Sequence, residues 1–153
     1  MKILRILRDK ARVDTAFAQI THLPHEPELQ SHFARYLCVI VSGFIENSVE
    51  IVCSEYTQTR AHKNVQKFVA HKLVKFQNPK TEEIFKLFSE FDPTTSDKLK
   101  NELAEETKTA VDSVVNLRHG IAHGGTSGIS IATIKAYYAE VLKFVEHIEK
   151  FCA

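Results

Sequence analysis

Apolar residues recur three and four apart along most of the chain, and this spacing predicts helices almost throughout. Over residues 1–20, Ile3, Leu4, Ile6, Leu7, Ala16, Phe17 and Ile20 alternate with Lys2, Arg5, Arg8, Lys10 and Arg12, which gives a helix with a basic outer face. Pro24 and Pro27 make residues 21–27 a loop. From residue 28 to about 59 one long helix is expected. Its middle, residues 36–45, is apolar nearly all round apart from Ser42 and Gly43, and would suit a buried strand. The helical spacing of Phe33, Tyr36, Ile40 and Phe44 continues through Val49, Val52 and Tyr56, however, and marks the central, most buried helix. Val65, Phe68, Val69, Leu73 and Phe76 define a third helix ending at Gln77-Asn78-Pro79, with His71 and Lys72 on its polar side. Thr81 caps a fourth that carries Ile84, Phe85, Leu87 and Phe88 and stops at Phe91-Asp92-Pro93.

Residues 94–97 then link to a helix whose first turns, 98–108, are charged. Over residues 103–121 it carries Leu103, Ala110, Val111, Val114, Leu117 and Ile121 on one stripe. Gly124-Gly125 stops it. After a short loop the last helix has a seam of Ile131, Ile134, Tyr138, Val141, Val145, Ile148 and Cys152, with His147 on the surface. The fold class is therefore all-α, an up-and-down bundle of five or six helices around a long central one.

Composition supports this picture. A chain of 153 residues suits one domain with a core of its own, and only five glycines and four prolines argue against a loop-rich β architecture. Cys38, Cys53 and Cys152 cannot all pair within one chain and lack metal-ligand spacing, which suits a reducing, cytoplasmic setting. No secretory leader and no run of about 18 apolar residues is read from the sequence. A net charge of +1 excludes a strongly basic nucleic-acid coat, though not a local cleft for RNA. The basic face of residues 1–20 is either such a contact or simply solvated.

The densest chemistry lies in Asn116-Leu117-Arg118-His119-Gly120-Ile121-Ala122-His123-Gly124-Gly125. His123 falls where a helix runs out, and the partial negative charge of the last carbonyls favours its protonated imidazole. A histidine titrating near neutrality is what acid–base chemistry needs. His119 and His123, four apart, share a face. Arg118 and His123, five apart, lie about 140° apart on an ideal wheel, so a straight helix does not join them. Unwinding at the glycines or a second copy of the chain would. An arginine bordering an apolar stripe needs an anionic partner, and phosphate fits its bidentate fork. Two other readings stay open: an ion-paired arginine with solvated histidines, and a His-x-x-x-His metal half-site, the latter without a nearby cysteine or carboxylate to complete it.

Arg118 and His123 with four residues between them, Ala122 before the histidine and Gly124 after it, resemble the signature of the HEPN superfamily. So do Tyr36-Leu37-Cys38 through Ser42-Gly43-Phe44-Ile45-Glu46, then Phe76-Gln77-Asn78-Pro79, Ser127-Gly128 and Tyr137-Tyr138. This ordered series, from about residue 30 to the end, is similar to the prokaryotic ribonuclease L-type (RiboL-PSP-HEPN) branch. The resemblance implies a HEPN-like bundle and a metal-independent endoribonuclease without cofactor, working as a homodimer with both motif helices lining one cleft. The ribose 2′-hydroxyl would attack the adjacent phosphodiester to leave a 2′,3′-cyclic phosphate and a 5′-hydroxyl. His123 would move protons and Arg118 would stabilise the phosphate. His119 stands where the family often has asparagine and is assigned an auxiliary catalytic role.

Glu46 is expected to orient His123 or pair with Arg118, against the alternative of an ordinary exposed glutamate. Ser127 in the loop would hold a phosphate or merely connect. Tyr138 would touch substrate or belong to the core. Expected partners are RNA, a second copy of the chain, and an antitoxin or a nucleotidyltransferase; the biological setting would be a toxin or defence effector. The alternative is a non-catalytic HEPN module that binds nucleotides or a partner.

Overall fold

The computed structural model describes residues 3–124 and 128–153. Among these described residues, seven α-helices and a closing 3-10 turn follow one another: α1 Leu4–Ile20, α2 Pro27–Gln58, α3 Lys63–Leu73, α4 Thr81–Phe91, α5 Pro93–Glu102, α6 Glu105–Ala122 and α7 Ile131–Ile148, then Glu149–Cys152. The described residues contain no strand. The all-helical bundle expected from the periodicity is what forms, with more helices than expected.

α2 is the axis. Pro27, which lacks the N–H that a first-turn residue would leave unpaired, opens it, and Glu28 sits in the positive first turn. Ala34, Leu37, Cys38, Val41, Ile45, Val49, Val52 and Cys53 are fully buried, and α1, α3, α6 and α7 pack around them. By length and composition α2 could cross a bilayer, but here its apolar surface is the core of the bundle. Its β-branched residues stay helical because tertiary burial on several sides outweighs their small propensity cost. The hydroxyls of Ser42 and Ser48 are buried on α2 without a hydrogen-bond partner.

The far end of the core is aromatic. Phe88 of α4 stacks on Phe151 at 4.5 Å, and Tyr56 of α2 stacks on the same ring at 4.7 Å. Ile3 N–H donates to Glu149 Oε2 at 2.9 Å and fastens the start of the chain to its last turn.

Three expectations need correction here. Residues 94–97 are no linker, and the motif helix does not begin in the charged stretch from residue 98. Asp92 starts α5 as an N-cap, its Oδ1 accepting from Thr95 N–H at 3.2 Å and its Oδ2 from the Thr95 hydroxyl at 2.7 Å, with Pro93 as the first helical residue. The chain extends at Leu103 and restarts at Glu105, where Glu105 and Glu106 suit a helix N-terminus. The division between α5 and α6 is made by extended backbone at Leu103 and Ala104, without a side-chain cap at Ala104. His147, expected at the surface, is half-buried, with a ring nitrogen 2.7 Å from the Leu99 carbonyl.

Candidate active site at the end of α6

α6 is held firmly at its beginning. Thr107, Ala110, Val111, Val114 and Val115 are buried. Asp112 accepts from Thr81 N–H at 2.8 Å and from the Thr81 hydroxyl at 3.1 Å, so that α6 caps α4. The Thr107 hydroxyl donates to Glu140 of α7 at 2.7 Å.

The last turns are different. Leu117 and Ile121 still lean on the core, while His119, Ala122, His123 and Gly124 are exposed. The helix ends at Ala122, so His123 is the residue that caps it rather than part of its final turn. His123 N–H donates to the His119 carbonyl at 3.2 Å and Gly124 N–H to Ile121 at 3.2 Å. Gly124 has φ +75°, the left-handed conformation that lets the chain leave a helix; a Cβ there would meet open space, so conformation alone calls for glycine. The imidazoles of His119 and His123 meet edge to face with ring centroids 4.4 Å apart.

Arg118 occupies the neighbouring face, half-buried. Its guanidinium is felt by Cys38 of α2: burial pushes that thiol up to about 11, with Arg118 pulling it back part of the way. Cys38 itself donates to the Val114 carbonyl at 3.7 Å, one turn before Arg118. Among the described residues Arg118 makes no ion pair. The site therefore presents two exposed imidazoles and, round the helix toward α2, a partly desolvated guanidinium.

The other proposed site residues fall elsewhere. Glu46 Oε2 accepts from Asn78 N–H at 2.7 Å and braces a turn in which Asn78 adopts φ +48°. Its carboxylate is thus engaged with the 76–79 turn rather than with Arg118 or His123. Tyr138 lies in the core, stacked on Phe17 at 4.9 Å, and its hydroxyl donates to Asp14 at 2.7 Å. Burial and Asp14 both push that hydroxyl's ionisation up, so it remains a donor already committed inside the fold. Of the two readings open for Tyr138, the core one matches its position. Ser127 lies outside the described residues. No group of three potential metal ligands occurs among the described residues.

One feature invisible in sequence order is the company these histidines keep. α6 leads directly into α7, and the first turns of α7, Ile131 and Lys135, line one groove with His25 and Gln30 at the entry of α2. The first turns of α2, with exposed His32 and Tyr36 and half-buried Arg35, therefore lie at the same end of the bundle as His119 and His123. His22 and His25 lie in the loop entering α2, so five of the eight histidines gather at one end. Only helix pairing reveals this.

A family model, RiboL-PSP-HEPN, matches residues 3–153. The chain belongs to the RiboL-PSP-HEPN family. No significant match is found among the curated proteins or the solved structures. Membership in this HEPN family associates the chain with ribonuclease-like or nucleotide-binding modules, and its bundle is helical as that family requires.

Proposed function

We propose that this HEPN protein is a metal-independent endoribonuclease acting as a homodimer, with Arg118 and His123 as its catalytic pair. The observation that carries this reading is the end of α6: two mutually contacting, exposed imidazoles and, on the neighbouring face of the same turn, a half-buried guanidinium without an ion pair among the described residues. A desolvated cation of that kind gains most from an anion, and a bidentate phosphate is the anion that guanidinium geometry fits.

In this reading one imidazole takes the proton of the ribose 2′-hydroxyl as the oxygen attacks phosphorus. The bond to the 5′-oxygen breaks, and a second proton donor supplies the leaving oxygen, giving a 2′,3′-cyclic phosphate and a 5′-hydroxyl. Arg118 stabilises the charge that builds on the non-bridging oxygens. Because Arg118 and the histidines lie on different faces of α6, the complete constellation draws on two protomers whose motif helices end at a common cleft. His119, in contact with His123, orients it or serves as the second proton-transfer group. A cellular role as a toxin or defence effector held in check by an antitoxin, or paired with a nucleotidyltransferase, accords with the family resemblance, as does a cytoplasmic location.

The test is cleavage of a single-stranded RNA in EDTA by wild type, Arg118→Ala and His123→Ala, with product ends identified and the oligomer followed by sedimentation. Cyclic-phosphate ends from the wild-type dimer alone support the proposal. RNA or nucleotide binding without product would make the protein a non-catalytic HEPN module instead. A His119→Asn variant that keeps activity would assign His119 to positioning.

A further inference from the structure

Between Glu55 and Glu82 the chain contains no acidic residue and six basic ones: Arg60, Lys63, Lys67, Lys72, Lys75 and Lys80. The rest of a chain of net charge +1 is therefore acidic, and the positive charge is concentrated around α3. Gln66, Val69 and Leu73 turn this helix toward the bundle. At about 100° per residue, Lys67 and Phe68 occupy the opposite half with Lys63 and Lys72 at its edges, and all four are exposed. Phe68 is 62% exposed, a large ring left in water, with Lys72 Nζ 5.4 Å from its centroid. Beside it a groove of about 360 Å³ opens between α3 and α4, walled by Phe68, Phe76 and Phe91, with Glu90 also lining it.

The basic face of α1 provides an internal contrast, with Arg8 its one described cation that has no ion pair among the described residues. Arg5 pairs with Glu55 at 3.1 Å, Lys10 with Asp14 at 2.6 Å and Arg12 with Asp9 at 3.7 Å. None of the α3 lysines has an ion-pair partner among the described residues. Uncompensated charge on one face attracts a polyanion, and an exposed ring among lysines offers a surface on which a base can stack. Glu90 repels phosphate from the groove yet accepts from the amino edge of a base. The stretch also leads toward the motif helix. Thr81, next to Lys80, is bonded to Asp112, which precedes Arg118 by six residues or about 9 Å along the axis of α6.

Resting on the nuclease reading, we propose that the outer face of α3 docks single-stranded RNA, its lysines on phosphates and Phe68 stacked on a base at the mouth of the groove. A duplex hides the faces of its bases and does not fit this surface.

The experiment measures binding of a labelled single-stranded RNA oligonucleotide to the His123→Ala protein over a range of salt. Two triple variants are compared: Lys63→Gln/Lys67→Gln/Lys72→Gln on α3 and Arg5→Gln/Lys10→Gln/Arg12→Gln on α1, which lose the same charge. The α3 variant is expected to lose about two from the slope of log affinity against log salt. The α1 variant should keep most of that slope. Phe68→Ala should weaken binding by roughly ten- to a hundredfold with the slope intact. Circular dichroism confirms that each variant is folded. Equal losses from the two triples, no loss from the α3 triple, absence of RNA binding, or binding of phosphatidylserine vesicles in place of RNA would each overturn the proposal. Cleavage is scored separately in the His123 background and in wild type. α3-dependent binding with no product from wild type removes the nuclease reading and leaves the docking face standing. Cleavage unaffected by the α3 triple does the reverse.

Discussion

The two ends of α6 share one backbone but do opposite work. Its stretch up to Val115 is locked by five buried side chains and by hydrogen bonds from α4 and to α7. Its last turn exposes two imidazoles and ends on a glycine at positive φ. The contrast teaches that the fold invests its packing where no chemistry is proposed, so that titratable groups can be held at a fixed helix end without being buried. Rigid elements with exposed tips position reactive groups better than loops do.

The sharpest break in that comparison is kinetic. His123→Ala should lower kcat by roughly 10²- to 10⁴-fold and leave the urea midpoint almost unchanged, since the residue is exposed. A large fall in stability instead would place His123 among the structural residues. Val111→Ala is the mirror experiment. It empties part of a fully buried position and should cost about 2 kcal/mol of stability, with activity per folded molecule retained. Asp112→Ala should cost about 1 kcal/mol, because it strips the cap from Thr81 while its own side chain is only half-buried; a thermal melt decides.

The smallest effect is the acid response of the locked stretch. Glu140 is held below the ordinary carboxylate range by the Lys143 ammonium and then by the Thr107 hydroxyl. A carboxyl depressed in the folded state contributes stability above its unfolded pKa and loses it as pH falls through the folded one. Wild type should therefore lose stability below about pH 4. Thr107→Val should lose less over that interval; an identical acid response in urea titrations of both proteins would assign the effect to other carboxylates.

Much of this was legible without coordinates. The apolar spacing of Phe33 through Tyr56 marked the central helix, and Arg118, His119 and His123 stood out because a glycine stop follows them. The break at Leu103 was not legible, since no capping side chain marks Ala104 and nothing in the apolar spacing around it signals an interruption. Glu46 and Tyr138 were harder still. Each is polar beside an apolar run, and nothing local reveals that their partners are Asn78 and Asp14, 32 and 124 residues away.

What the sequence by itself determined is therefore periodic or adjacent: helices, their buried stripes, the glycine exit and the chemistry crowded against it, because these depend on spacings of three or four along one backbone. The tertiary structure alone decided which polar groups are spent inside the fold and which remain for a substrate. It also gathered the histidines of α2, its entry loop and α6 at one end, and left the lysines of α3 without the ion-pair partners that Arg5, Lys10 and Arg12 of α1 have among the described residues. Those outcomes depend on distances between residues far apart in the chain, which no local pattern encodes.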